Sequence, residues 1–213
     1  YERSYDKFHD EYENLYRIRY KLYQNDKLNV DCAAAVPRVG PFMKEKMPEV
    51  VDYARAFPTG GIVKYEDKEF REERMHIVDP SFLKIFSFPL VNGDPTTDLN
   101  DPDNSYNKFD FFISYEALNR NTQNDDGTIA SETSWGWYDF NSYVLLQPGV
   151  DVEAFNARFD EALVAERGEA FEKYNFKSEF PLQPITDIHL KSNMLQESEP
   201  EEQGDVPAKP RSL

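Results

Sequence analysis

The hydrophobic period changes within the first twenty-two residues, and that change constrains the fold more than any other feature of the sequence. Tyr5, Phe8, Tyr12 and Leu15 recur at spacings of three and four, which predicts a helix from Ser4 to about Asn14 with these residues on one face. Tyr16, Ile18, Tyr20 and Leu22 then alternate with Arg17, Arg19 and Lys21. A period of two predicts a strand with one buried face, and the three cations are expected to form a solvated face or a row pairing with nearby carboxylates, with a binding surface as the alternative. A chain that runs helix into strand without a regular βα alternation is expected to be α+β.

Further along, Asn25-Asp26 predicts a turn and Pro37 to Met47 a short helix. Val50 to Phe57 reads as a strand, ended by the turn cluster Pro58-Thr59-Gly60-Gly61. Ile62 to Tyr65 and Lys68 to Phe70 read as a hairpin around Glu66-Asp67, with Arg74 to Val78 as another strand. Asp79-Pro80-Ser81 predicts a helix start, with Asp79 as its N-cap and Phe82, Ile85 and Phe86 as its apolar face. Val91 to Lys108 is loop-like, and Phe109 to Ser114 and Tyr143 to Leu146 are apolar strands. Asp151 caps a helix to about Arg167 with a stripe of Val152, Phe155, Phe159 and Leu163. Gly168 is expected to kink or end it. Strand–helix–strand units near each end suggest two lobes: 1–66 with 141–195 as the main lobe, and 67–140 as a smaller one. Residues 196–213 are expected to form an acidic, disordered tail, because five carboxylates repel one another there without an apolar cluster.

Composition excludes several functions. Forty acidic residues against 24 basic give a net charge of −16, which disfavours binding to nucleic-acid phosphates or anionic lipid. The single Cys32 rules out an internal disulfide framework or a cysteine-built zinc site. It reads as a small buried hydrophobe, since Cys32-Ala33-Ala34-Ala35 places no base beside it. The longest uncharged run, Phe140 to Val150, is too short for the roughly 20 residues of a membrane helix. With no initiator Met, the sequence is expected to be excised from something larger.

Catalytic motifs are missing. There is no phosphate loop, nucleophile elbow or zinc-protease pair, and His9, His76 and His189 lie far apart. Glu72, Glu73 and His76 form the best local metal-like group, but they need a helix to converge and their segment reads as strand. No catalytic, cofactor or metal residue is assigned. Trp135, Trp137 and Tyr138, at the end of a polar loop, are the candidate partner-contact residues, with inward packing as the alternative.

Several segments, taken in order, resemble one family. Ser4-Tyr5-Asp6-Lys7-Phe8-His9 followed by Tyr16-Arg17-Ile18 is similar to the segment after the first membrane helix of MacB/FtsX-type ABC transporter permeases. Asp79 to Leu90 with Gly93-Asp94-Pro95, Phe109 to Ser114, Tyr143 to Leu146 with Pro148-Gly149, and Leu182 to Leu190 resemble that family's periplasmic core domain, in the Bacteroidetes-like style. Relatives carry a longer segment before the Phe109 motif. Either the smaller lobe is naturally reduced here, or residues are missing from the sequence at that point.

The resemblance implies a two-lobed α+β extracytoplasmic domain of a cytoplasmic-membrane permease, lying on the periplasmic side. It also implies a non-catalytic role without cofactors, coupling cytoplasmic ATP hydrolysis to a periplasmic substrate or partner. The implied partners are the protein's own transmembrane helices, a cytoplasmic ABC ATPase, and a periplasmic protein, peptide or lipoprotein. The alternative from the residues alone is a soluble acidic hydrolase using carboxylates in a cleft between lobes.

Overall fold

The computed structural model describes residues 11–88, 111–188 and 194. The N-terminal helix expected from Ser4 lies mostly outside these residues; its described end, Tyr12–Asn14, is a single 3₁₀ turn. The acidic tail, the loop expected at 91–108, His9 and His189 also lie outside them. No helix among the described residues is long and apolar enough to cross a membrane.

Two sheets organise the α+β domain. The strands are β1 (Leu15–Ile18), β2 (Tyr20–Gln24), β3 (Lys27–Cys32), β4 (Val50–Tyr65), β5 (Lys68–Val78), β6 (Phe111–Ser114), β7 (Asn141–Leu146), β8 (Phe176–Glu179) and β9 (Leu182–Pro184). The helices are α1 (Val39–Lys46), α2 (Phe82–Ile85), α3 (Tyr115–Asn121), α4 (Ala130–Thr133) and α5 (Val152–Tyr174). Six strands pair in the order β6-β5-β4-β7-β1-β9, and three in the order β3-β2-β8. All pairs are antiparallel except β5 with β6. Strands from the stretch 67–140 therefore share one sheet with strands from 1–66 and 141–195.

The chain changes sheets twice at the same place. β1 passes to β2 at Arg19, whose amide donates to the carbonyl of Pro181 (3.0 Å), and β8 passes to β9 through Phe180-Pro181. The expected strand Tyr16 to Leu22 is thus two strands. Its apolar residues Tyr16, Ile18, Tyr20 and Leu22 do share one core. Its cationic face is not solvated: Arg17 is fully buried, and Arg19 is half-buried on Asp31 at 2.7 Å. The large sheet is covered on both faces, which leaves β1 no wet side. α1 and α5 pack on one face around Phe42, Met43, Phe155, Phe159 and Leu163. On the other, α2 packs Phe82, Leu83, Ile85 and Phe86 against Leu15, Ala54, Tyr143 and Ile185.

Asp151 caps α5 by accepting from the amide of Ala154 (3.1 Å), as its position predicts. Gly168 does not end the helix, which continues to a left-handed cap at Asn175 (φ 49°). The Asn25-Asp26 turn has both residues at positive φ, which matches the twist of the β2–β3 hairpin. Pro58 to Gly61 is not a turn. β4 runs straight through it, with a bulge between Thr59 and Gly61 that realigns it on β5.

Candidate functional site

Arg55 sits in the first half of β4 in the run Ala54-Arg55-Ala56, where alternation puts it on the face opposite the two alanines. It is fully enclosed, and every polar atom of its guanidinium is used. Nε and Nη2 donate to the two carboxylate oxygens of Asp79, each at 2.8 Å. Nη1 donates to the carbonyls of Pro37 (3.2 Å) and Ser131 (3.1 Å) and to Glu132 (2.9 Å). The Tyr115 ring lies 4.0 Å from the guanidinium carbon, and its hydroxyl donates to the Ser131 carbonyl at 2.7 Å. This one side chain ties β4, the end of β5, the start of α1 and the α3–α4 pair together. Burial works against the Arg55 charge, but the hydrogen bonds and attraction of Asp79 lift its pKa above the ordinary arginine value. Burial pushes the Asp79 carboxyl up, with the Arg55 hydrogen bonds opposing it.

Asp79 is therefore not the N-cap expected from Asp79-Pro80-Ser81. Ser81 occupies that position, and its side chain makes no cap bond. Its hydroxyl donates instead to the carbonyl of Tyr53 at 2.5 Å. The signal that could have identified the pair is a lone arginine inside an apolar strand, with an aspartate directly after the next one.

The three aromatic candidates follow α4. Ser134 Oγ accepts from the amides of Gly136 and Trp137, both at 3.2 Å, and this turn aims the two indoles apart. Trp135 packs edge-on against Phe42 (5.3 Å between centroids), beside Phe180, with Arg167 over its face at 5.5 Å. Trp137 packs on Phe57 (5.2 Å) and Phe140 (4.8 Å), and its Nε1 donates to Asp139 at 2.8 Å. Both indoles are half-buried, so they clasp two separate parts of the core. Tyr138 is the most exposed of the three, at 38%, and covers Tyr20 at 5.4 Å. Burial pushes the Tyr20 hydroxyl up to about 12.

The remaining chemistry-bearing residues are dispersed. Glu72, Glu73 and His76 lie on β5, with the irregularity of its pairing to β4 falling between Glu72 and Met75. Among the described residues no group of three or more His, Cys, Asp or Glu is arranged to hold a metal. Cys32 is buried with its thiol donating to the Ala34 carbonyl (3.2 Å), and burial raises it to about 11. Such a thiol is not a nucleophile at neutral pH.

Among the described residues, β7 pairs with positions 50–56 of β4 and β6 with 75–78 of β5, and β4 and β5 pair with each other beyond these as a ribbon. The ribbon carries Ile62 (64% exposed) and Phe70 (46%), and a recess at its bulge is lined by Gly60, Gly61, Ile62, Arg71, Glu72 and Glu73.

No protein-family profile matches the chain, and no curated protein matches it. Among solved structures, a domain from a protein classed as a permease in Porphyromonas gingivalis superposes with a TM-score of 0.61 at 16% identity, over 90% of this chain and 95% of that one. The periplasmic region of MacB from Actinobacillus actinomycetemcomitans gives a TM-score of 0.43 at 9% identity, over 79% and 89% of the two chains. The first likeness shows that the two chains share a fold.

Proposed function

We propose that this chain is the non-catalytic extracytoplasmic domain of an ABC transporter permease, passing motion generated by a cytoplasmic ATPase to a periplasmic substrate or partner. The observation that carries the reading is the shared fold with the P. gingivalis permease domain, which runs over nine-tenths of this chain. A second feature supports it. The 3₁₀ turn at Tyr12–Asn14 touches the one at Ile185–Asp187, and β1 pairs with β9 from Tyr16↔Pro184 onward. Residues 12–14 and 185–187 therefore lie side by side, as a domain held between two membrane helices requires. Tyr138 is the residue best placed to meet a partner, since the two indoles beside it are engaged in packing.

Asp79, a buried carboxylate, is held by both arms of the Arg55 guanidinium and so lends no support to the carboxylate-hydrolase alternative. The test is topological. In the full-length protein, Asp67→Cys at the ribbon tip should react with a membrane-impermeant maleimide in intact cells whose outer membrane is permeabilised. Labelling only after cell lysis would refute the extracytoplasmic placement.

A further inference from the structure

Arg167 stands where the apolar stripe of α5 calls for a hydrophobic side chain. Phe155, Phe159 and Leu163 are buried at intervals of four, and Phe171 packs against the same core. Position 167 falls in that series. Its neighbours one helical turn away are Leu163, Val164, Ala170 and Phe171, none of which can pair with a guanidinium. Arg167 lies instead over the Trp135 ring, 5.5 Å from its centroid, and makes no hydrogen bond or ion pair with a described residue. By contrast, Arg19, Arg38, Arg55, Arg71, Arg120 and Arg158 each hold a carboxylate. In a chain with 40 acidic residues against 24 basic, an arginine fixed by packing yet left without one needs a reason.

Two hydroxyls beside it are in the same condition. Tyr20 is 4% exposed, and a tyrosine so deeply buried ordinarily bonds its hydroxyl. Here that hydroxyl bonds to no described group, and neither does the hydroxyl of Tyr138, whose ring lies 5.4 Å from the Tyr20 ring. The Tyr20 oxygen is not sealed from the surface. It lies within electrostatic reach of both Arg167 and Tyr138. Phe180 joins the two halves, 5.3 Å from the Tyr20 ring and 6.2 Å from the Trp135 ring. All hydrogen bonds, ion pairs and ring contacts of Tyr20, Trp135, Tyr138 and Arg167 are with described residues.

We propose that Arg167, Tyr20 and Tyr138 form a binding site for the carboxylate of a singly charged ligand, with Trp135 as its apolar wall. A guanidinium donates in a planar fork that matches a carboxylate, and two tyrosine hydroxyls can donate to the remaining lone pairs. One cation balances one negative charge. A phosphate dianion or an acid-rich peptide would bring surplus negative charge to a protein of net charge −16. Trp135 is half-buried and Tyr138 is 38% exposed, so both offer ring surface to the organic part of the ligand. A free organic acid and the C-terminus of a peptide share this chemistry. The site deepens the reading of Tyr138 as partner-facing, but binding to it needs neither a membrane nor an ATPase.

The test is titration of the 213-residue chain with hexanoate at low salt, followed by indole fluorescence and by the NMR signal of Arg167 Nε. Binding should saturate with a dissociation constant of about 1 mM or lower, and added salt should weaken it. Hexanamide and inorganic phosphate should bind at least about tenfold more weakly. Arg167→Gln should weaken hexanoate at least about tenfold, and Tyr20→Phe and Tyr138→Phe about threefold each. Lys173→Gln, on the exposed end of α5, should change nothing. Acetyl-Ala-Leu binding more tightly than hexanoate would assign the site to peptide termini; the reverse order would assign it to free acids. No saturable response up to about 50 mM, an equal response to hexanamide, or parental affinity in Arg167→Gln would each overturn the proposal. Should Arg167→Gln lose the parental far-UV spectrum, the two Tyr→Phe variants decide, and unchanged affinity in both would overturn it. Labelling of Asp67→Cys only after lysis would refute the extracytoplasmic placement and leave this binding result intact.

Discussion

Replacing Arg55 by Met removes a side chain of similar length from the most connected point in the described structure. Its guanidinium is 2% exposed, and the Asp79 carboxylate it holds is 8% exposed. In Arg55→Met, Asp79 keeps its burial and the Arg55 backbone amide at 2.8 Å, but loses both side-chain donors. The carbonyls of Pro37 and Ser131 lose a donor as well. Glu132, at 31% exposure, can turn back to water, so its loss counts for little. Stranding one member of a buried ion pair costs about 3–5 kcal/mol, and the two carbonyls argue for the upper half of that range. For a chain of this length each kcal/mol lowers the melting temperature by roughly 2–4 °C, so the transition should fall by about 8–20 °C. Urea melts followed by far-UV circular dichroism and by indole fluorescence should give the same loss. Arg55→Met/Asp79→Leu should recover about half of it, because the stranded charge is gone. Glu132→Gln should cost about 1 kcal/mol or less. A loss below about 1 kcal/mol in Arg55→Met, or strict additivity with Asp79→Leu, would show that Arg55 is not the staple described.

Three further outcomes are expected. Burial lowers His76 to about 4, below its ordinary 6.5, so the unfolded chain binds the extra proton between those values; stability should be full above about pH 6.5 and fall by roughly 3 kcal/mol as the pH drops toward 4, and His76→Gln should flatten that slope in urea melts at stepped pH. Gly40→Ala should destabilise by about 1–3 kcal/mol, because its Cβ would sit 2.7 Å from Cδ2 of the Tyr53 ring, and Gly40→Ala/Tyr53→Leu should recover part of that loss. Trp135→Ala should cost about 3 kcal/mol in the same melts and Tyr138→Ala about 1 kcal/mol or less, so on the proposed permease reading a transport defect in the full-length protein with normal folding should follow from Tyr138→Ala alone.

Local patterns in the sequence identified elements wherever a residue answered only to its neighbours in the chain. Asp151 followed by Phe155, Phe159 and Leu163 gave the start and buried stripe of α5, and Asn25-Asp26 marked a hairpin. Prediction failed where a partner distant in sequence decided the outcome. Arg17 alternates with apolar residues just as a solvated cation would, yet β1 lies between β7 and β9 with both faces covered, and its guanidinium donates to Gln183, 166 positions away. Asp79-Pro80-Ser81 satisfied a helix-start pattern, but Arg55 claimed the carboxylate. Pro58 to Gly61 carried turn residues, yet the long pairing with β5 absorbed them as a bulge. The aromatic segment was legible as a cluster, but not which way each ring would face, because that depends on where α1, α5 and β4 stand.

The adjacency of β1 and β9 also sets how the fold meets mechanical load. Their three rungs, Tyr16↔Pro184, Arg17↔Gln183 and Ile18↔Leu182, begin at the end where the chain arrives and departs. Tension that draws those two chain segments apart therefore acts across the rungs and opens them one after another, with the Arg17 to Gln183 side-chain bonds as the second catch. Tension that pulls both segments the same way leaves the rungs unloaded and is carried into the sheet as a whole. The same three rungs are thus a weak zipper in one direction and a rigid mount in the other.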